Sequence, residues 1–119
     1  TYYHNHTEEF LDLKDGKNAM DIISGEGCSL EVDTYWSFCA GIDNTEYLKA
    51  HKEKIILVHI KDGVDHKPMA LGEGENDLQN VVAGVKAIGL DWVILENDEP
   101  VPTGLEDITR SYKWLKENF

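Results

Sequence analysis

The fold is decided by residues 55–62, which read IILVHIKD. The first half of this stretch is continuously apolar in a chain in which 29% of residues are charged. Such a run is typical of a parallel strand that is buried on both faces. The stretch turns polar only towards its carboxyl end, at His59, Lys61 and Asp62. Because ligands of α/β folds bind beyond the carboxyl ends of the strands, the sequence predicts that the chemistry lies there.

Three other parts of the chain repeat this design of a strand followed by a helix. Hydrophobic patterning predicts strands at residues 2–6, 29–36, 55–62 and 91–96. Helices are predicted at residues 18–23, 44–51, 77–88 and 105–115, with Asp43 or Asn44 as the N-cap of the second and Gly89 ending the third. A helical turn is predicted at residues 8–13 and a long loop at residues 63–76.

Four strand–helix units predict an α/β fold with parallel strands and right-handed crossovers. The 119 residues suit a single domain spanning 1–119. Four units of roughly thirty residues match half of a (β/α)8 TIM barrel, whose usual size is about 250 residues. The alternative is a small open α/β sheet with helices on both faces. No glycine fingerprint for a nucleotide follows the first strand, so the half barrel is preferred.

The charge of the chain restricts its partners. Its net charge is -12 and it has no basic patch, which argues against binding nucleic acid by neutralising phosphates. No apolar run approaches the length that spans a membrane. Cys28 and Cys39 lack the spacing of metal ligands and are predicted to be reduced packing residues. We therefore expect a cytoplasmic protein with a small-molecule partner, no membrane and no nucleic acid.

Polar side chains stand near the carboxyl end of every predicted strand. They are His4 and His6, Glu31 and Asp33, His59 and Lys61, and Glu96. In a barrel, alternate side chains point into the lumen, and turning Asp33, His59 and Glu96 inward makes the apolar residues face the helices. Nitrogen and oxygen ligands without thiolate suit divalent Mn, Mg, Co, Zn or Fe. The sequence therefore predicts a site for one divalent ion.

Each of these residues also has a purely structural interpretation. A histidine at a strand end is often only hydrogen-bonded, Asp33 could cap the segment that follows it, and Glu96 could pair with Lys61. Burying several uncompensated charges together is costly, however. The occurrence of such residues on successive strands therefore favours a functional site.

Several motifs occur in a familiar order. They are YHNH at 3–6 with Glu9-Phe10, LEVDTYW at 30–36, VHIKD at 58–62 and LGEG at 71–74. This order resembles the sugar phosphate isomerase/epimerase superfamily, the xylose isomerase-like TIM barrels that also include endonuclease IV. The resemblance covers nearly the whole chain but only the C-terminal half of the family's barrel, roughly strands five to eight. The acidic charge argues against the endonuclease branch, which needs a basic DNA groove.

The resemblance implies a set of metal ligands. Asp33, His59 and Glu96 match three of the four ligands of the family's sugar epimerases, and His4 falls at the first place, where those enzymes have Glu. In them the first and last glutamates also exchange protons with the substrate. Glu96 and His4 are therefore the expected catalytic residues, although His6, Glu9 or a group outside this chain could replace His4 as the second acid/base.

The resemblance also implies a substrate pocket made by His6, Trp36, Lys61 and Glu9. Trp36 could stack on a sugar face or simply pack, and His6 and Lys61 could bind hydroxyl, carbonyl or phosphate oxygens. The glycines at 72–74 lie over the mouth in the resemblance. There they would bring backbone N–H groups to a substrate or form a plain turn.

The expected activity is a metal-dependent isomerisation or epimerisation of a sugar or sugar phosphate, by proton transfer beside a carbonyl. A keto-glycoside lyase or hydrolase on the same fold is an alternative, given His4 at the first ligand place. So is a truncated, non-catalytic fragment that binds metal or sugar. The chain opens on a strand without an initiator Met, which favours a fragment. Its open barrel would be completed by a homodimer partner or by the missing N-terminal half.

Overall fold

A computed structural model describes residues 1–119. Its main sheet has four parallel strands, and their order in the sheet follows their order in the chain. These strands are β1 (Tyr2–His4), β2 (Ser29–Asp33), β3 (Ile55–Ile60) and, after the hairpin strands β4 (Asp62–Val64) and β5 (Lys67–Met69), β6 (Ile94–Leu95). The predicted α/β fold, equivalent to half of a barrel, is confirmed.

Helices connect and follow the strands of the sheet. They are α1 (Ala19–Gly25), α2 (Thr34–Cys39), α3 (Asn44–Ala50), α4 (Leu78–Ile88) and α5 (Gly104–Asn118), and a 3-10 turn spans Glu8–Phe10. No helix has the length and apolar character needed to cross a membrane. Cys28 and Cys39 are both free thiols.

The helix boundaries follow from side chains that accept a backbone hydrogen bond three residues later. These N-caps are Asn18 for α1, Asp43 for α3, Asp77 for α4 and Thr103 for α5. The sequence left Asp43 and Asn44 open as the N-cap of α3, and the structure shows that it is Asp43. Gly89 ends α4 in a left-handed conformation (φ 70°), as predicted.

The core lies between the sheet and the helices. On the sheet side it is formed by Leu30, Val32, Val58 and Ile60, and on the helix side by Met20, Leu48, Val81 and Val85. All are buried, because alternate residues of β2 and β3 point to the same face. The apolar side chains of these strands therefore face the helices, as expected.

The prediction that the 55–62 strand is buried on both faces was wrong. Ile56 is 46% exposed, and Leu57 and His59 are only half-buried. Leu57 and His59 lie on the face opposite Val58. This face carries the polar residues of the site. In a closed barrel it would line the lumen, and the half barrel leaves it open.

The predicted strand 29–36 ends at Asp33. Asp33 Oδ1 accepts hydrogen bonds from the backbone N–H of Tyr35 at 2.9 Å and of Trp36 at 3.1 Å. The carboxylate therefore starts α2 where the apolar pattern alone predicted a continuing strand. The strands predicted at 2–6, 55–62 and 91–96 are also shorter in the structure, with β6 reduced to two residues.

The predicted loop 63–76 contains part of an antiparallel hairpin, formed by β4 and β5. Its two turn residues, Asp65 and His66, have φ of 50° and 64°. Positive φ at both positions is the geometry of a type I′ turn, which usually has Asn-Gly. The sequence lacks that signal, which is why the hairpin was not predicted.

Candidate metal centre

Four side chains meet at the carboxyl ends of the parallel strands. His4, Asp33, His59 and Glu96 each offer one ligand atom, and these four atoms lie within 4.8 Å of one another. The strand register explains this, because Asp33 pairs with His59, and His59 pairs with Ile94, two residues before Glu96. The structure thus brings together all four residues that the sequence predicted as metal ligands.

Two atoms at the centre of this cluster lack a hydrogen-bond partner. They are His4 Nε2 and Asp33 Oδ2, both buried and 3.4 Å apart. His4 Nε2 also lies 3.9 Å from Glu96 Oε2, and His59 Nδ1 lies 2.5 Å from the same oxygen. Buried polar groups normally have partners, so this pair indicates room for a group that would bind both atoms.

The two carboxylate oxygens of Asp33 have different surroundings. Oδ1 caps α2, which was the structural alternative for this residue, while Oδ2 faces His4. The backbone of Asp33 is fixed by buried Asn5, whose Oδ1 accepts from its N–H at 2.9 Å and whose Nδ2 donates to its carbonyl at 3.2 Å. Asn5 therefore ties the end of β1 to the end of β2.

Glu31 belongs to the cluster, although it was not among the predicted site residues. Its Oε1 lies 3.0 Å from His59 Nε2, so both ring nitrogens of His59 face carboxylates. A neutral imidazole has one N–H, so the ring can donate a hydrogen bond to only one of these two carboxylates. The two-residue spacing of Glu31 and Asp33 on one strand, which puts them on the same face, was the available signal.

Lys61 provides a buried positive charge beside the cluster. It is 1% exposed, and its Nζ lies 2.5 Å from Asp98 Oδ2, 3.7 Å from Glu96 Oε2 and 3.8 Å from Asp33 Oδ2. Its ammonium holds the pKa of Asp98 below the usual value, against the effect of burial. The suggested contact of Glu96 with Lys61 is thus present. Asp98 was missed, although its spacing from Glu96 repeats that of Glu31 and Asp33.

Negative charge exceeds positive charge in this region. The carboxylates of Asp33, Glu96 and Asp98 lie within 3.8 Å of the single ammonium of Lys61. Glu31 adds a fourth carboxylate beside His59. The interaction with Asp33 raises the pKa of His4 above its ordinary value, although burial opposes this. An excess of carboxylate, two imidazoles and two unpartnered atoms fit a divalent cation. His4, Asp33, His59 and Glu96 are the residues that would hold it.

Three of the four predicted substrate residues lie next to this cluster. Lys61 Nζ is 4.9 Å from the centre of the Trp36 ring, and the His6 ring is 6.1 Å from Trp36 and 5.2 Å from His4.

The fourth predicted substrate residue, Glu9, is engaged elsewhere. It accepts hydrogen bonds from the Tyr3 hydroxyl at 2.7 Å and from the backbone N–H of His6 at 2.8 Å. Burial alone would raise the pKa of Glu9, but these bonds lower it. In the structure Glu9 therefore holds the segment that carries His6.

The glycine-rich loop does not offer its N–H groups to a substrate. Gly72 and Gly74 donate to Asp62 Oδ2 at 2.9 and 3.0 Å, and Gly63 and Asn76 donate to Asp62 Oδ1 at 2.9 and 3.0 Å. Asp62 itself is fully buried. The loop is therefore closed around an internal carboxylate, which favours the structural turn over the ligand loop among the two alternatives that the sequence left open.

Comparison with known proteins agrees with this architecture. The family described as xylose isomerase-like TIM barrel matches residues 1–118. Two crystal structures of proteins described as sugar phosphate isomerase/epimerase, both from Parabacteroides distasonis, are similar in fold. One has 22% identity and a TM-score of 0.77 over 97% of this chain and 44% of that one. The other has 20% identity and a TM-score of 0.71 over 96% and 43%.

The chain therefore spans less than half the length of either of these proteins. A search of curated proteins found no significant match.

Proposed function

Because this chain belongs to the xylose isomerase-like TIM barrel family, we propose that it forms the metal-binding part of a sugar isomerase or epimerase. One observation carries the proposal: the ligand atoms of His4, Asp33, His59 and Glu96 converge within 4.8 Å, and two of these side chains have a buried atom without a partner. The reaction would move a proton on a carbon beside a carbonyl group of the sugar.

The divalent ion would polarise that carbonyl and so make the neighbouring C–H more acidic. The chain supplies the rigid surroundings that this chemistry needs. Asn5 fixes the backbone of Asp33, and Glu31 orients the ring of His59 through its Nε2. Such supporting contacts set the orientation of ligands and are part of the design of a metal site.

Glu96 is the residue proposed to move the proton. Its side chain is 28% exposed, so it is accessible from the open face of the sheet, and Lys61 lies close enough to balance its charge. A carboxylate can take the proton from one carbon and return it to the adjacent carbon, or it can take the proton while a second acid delivers another proton to the opposite face of the same carbon. The first outcome is isomerisation and the second, with the help of another acid, is epimerisation. His4 can be that second group only where its imidazole does not hold the ion; where it does, the second acid is His6 or a group outside this chain.

A second candidate is a keto-glycoside lyase or hydrolase. The observation that favours it is His4 itself, since an imidazole stands where the second proton-transferring glutamate of the epimerases is expected. A binding fragment without catalysis is the third candidate. In each case the open face of the sheet would be completed by a second copy of the chain or by the other half of a barrel.

The first test measures the metal content of the purified protein, with variants Asp33→Asn and His59→Gln and the control His51→Gln. His51 lies at the end of α3 and contacts Tyr47, outside the cluster. We expect one tightly bound divalent ion per chain in the parent and control, and its loss in both cluster variants. Retention of the ion by both cluster variants would contradict the proposed site.

The second test measures deuterium uptake from deuterated water into a panel of sugars incubated with the metal-loaded protein. We expect incorporation at a carbon beside a carbonyl and its loss in Glu96→Gln. A fully assembled, metal-loaded protein that exchanges no C–H proton in any sugar would exclude the proton-transfer reaction and leave the hydrolase and the binding fragment.

A further inference from the structure

A small cleft lies beside the candidate metal centre. Its volume is about 240 Å³, and it is lined by His6, Thr7, Glu8, Trp36 and His66. The ring of His66 stacks on Trp36 with centres 6.3 Å apart and planes inclined by 25°, and His6 is tilted towards the same ring from 6.1 Å. We refer to this as the His6–Trp36–His66 cleft. It is smaller than the pockets of roughly 300–1,000 Å³ that enclose drug-sized ligands, so it suits one ring of a small molecule.

The cleft is adjacent to the metal centre. The His6 ring lies 5.2 Å from the ring of His4, and the Lys61 ammonium lies 4.9 Å from the centre of the Trp36 ring. A ligand that has its reacting carbon at the cluster would therefore place its adjoining part against Trp36.

His66 reaches the cleft from a demanding backbone position. It occupies the second central position of the hairpin turn, with φ of 64°, where a type I′ turn favours glycine. Its N–H donates to the Tyr35 hydroxyl at 3.1 Å, and the N–H of Asp65 donates to Glu75 Oε1 at 3.1 Å. The turn is thus fixed from both sides. Residues held in sparsely populated backbone conformations often occur at functional sites, which indicates that the side chain of His66 has a role.

The chain does not provide an anion site where one would be expected. In (β/α)8 barrels, phosphate is frequently bound by the loops that follow the last two strands. Here the loop after β3 contains glycine N–H groups suited to an anion, but Asp62 accepts four backbone hydrogen bonds from this part of the chain. A carboxylate of the protein already occupies the place of an external anion.

The surroundings of the cleft also disfavour negative charge. Glu8 lines the cleft itself. The lining contains no lysine or arginine. The nearby ammonium of Lys61 is engaged by Asp98 at 2.5 Å. A phosphate group here would meet carboxylates without a free cation.

We propose that the His6–Trp36–His66 cleft binds the ring of an uncharged sugar, so that the protein acts on unphosphorylated substrates. This inference rests on the proposed function and specifies its substrate class. The apolar face of a sugar ring packs on the indole, and the two imidazoles together with Glu8 bind its hydroxyl groups. His66, on the hairpin, is the residue that sets specificity for this ring.

The test compares the binding of sugars and their phosphate esters to the metal-loaded protein by titration calorimetry. The probes are D-glucose, D-fructose and sucrose, with the 6-phosphates of glucose and fructose. The variants are His66→Gly, which removes the imidazole, and the matched control Asp65→Gly, which relaxes the same turn and leaves the cleft intact. Glycine suits both positions, so both variants keep the hairpin.

We expect at least one uncharged sugar to bind, and any phosphate ester to bind at least tenfold more weakly. His66→Gly should weaken the binding of the sugar about three- to tenfold, the usual effect of losing one hydrogen bond and its packing. Asp65→Gly should leave binding unchanged. Equal or tighter binding of the esters, equal effects of the two variants, or no binding of any uncharged probe would each overturn the inference.

Deuterium uptake measured in the same samples separates this inference from the proposed function. Exchange in the phosphate esters but not in the uncharged sugars would support the proton-transfer reaction and overturn the inference. Binding of an uncharged sugar that depends on His66, without any exchange, would support the cleft and overturn the proposed reaction.

Discussion

Asp33 and Asp62 are both fully buried aspartates at the carboxyl ends of neighbouring strands, yet their surroundings are opposite. Both oxygens of Asp62 are saturated by four backbone N–H groups. One oxygen of Asp33 has no hydrogen-bond partner and faces His4. Burial and residue type are the same, so the difference lies in whether the fold satisfies the charge. A saturated carboxylate serves the fold, whereas an unsatisfied one indicates a ligand.

The loop around Asp62 also supports the cluster that contains Asp33. Asn76 donates from its side chain to the carbonyl of Lys61 at 2.8 Å and from its backbone to Asp62. This fixes the chain just beyond β3, where Lys61 leaves the strand towards Asp98. The loop around Asp62 therefore keeps Lys61 and the end of β3 in position beside the cluster.

The largest effect should come from Asp62→Asn. An asparagine has one acceptor oxygen and an NH2 group, so two of the four backbone N–H donors would face another donor. Hydrogen bonds to charged groups contribute about 1.5–3 kcal/mol each, and we expect the free energy of unfolding to fall by roughly 3–5 kcal/mol. Chemical denaturation of the parent and the variant measures this difference.

Glu73→Gln is the matched control in the same loop. Glu73 is exposed and bonds to the guanidinium of Arg110 on the surface, so its charge is shared with solvent. The free energy of unfolding of this control variant should stay close to that of the parent. If the two variants were equally stable, Asp62 would not be the anchor of the loop.

Gly74→Ala should destabilise the protein through the same loop, but less than Asp62→Asn does. A Cβ at Gly74 would come within 2.2 Å of Asp62 Oδ1 and 2.5 Å of the backbone of Gly63, which cannot move far. Overpacking of this kind typically destabilises by about 1–3 kcal/mol. At Gly104, the first residue of α5, a Cβ would meet nothing within 4 Å. Gly104→Ala should be neutral or slightly stabilising in thermal unfolding, and a loss equal to that of Gly74→Ala would contradict this interpretation.

The sequence predicted the features that depend on local pattern. The apolar run at 55–60 and its repeats predicted four parallel strands, and polar residues at the strand ends predicted that Asp33, His59 and Glu96 would meet. The resemblance to the family added His4. These predictions succeed because adjacent parallel strands bring their carboxyl ends together, whatever the details of the loops. The predicted end of β2 was wrong, because Asp33 accepts two capping hydrogen bonds that start α2 although the apolar pattern continues.

Features that depend on contacts between distant backbone groups could not be predicted. Asp62 follows Lys61 in the motif VHIKD and looks like a further site residue, but its partners are N–H groups up to 14 residues away. The glycines at 72 and 74 are equally compatible with a ligand loop and with an internal anchor. The position of His66 beside Trp36 gave no signal in the sequence, because it depends on a hairpin turn that lacks the usual Asn-Gly.

The smallest expected effect on stability is that of Asp33→Asn in the metal-free protein, although the chemical change is the same as in Asp62→Asn. The amide oxygen of asparagine can still cap α2, and the lost charge contacts of Oδ2 with His4 and Lys61 are offset by removing one carboxylate from a region with excess negative charge. We expect the free energy of unfolding to stay within about 1 kcal/mol of the parent. With a divalent ion at 100 times its dissociation constant, the parent should gain about 2.7 kcal/mol and the variant nothing. If Asp33→Asn were instead as destabilising without metal as Asp62→Asn, Asp33 would be an anchor of the fold like Asp62, and its free oxygen would no longer indicate a metal site.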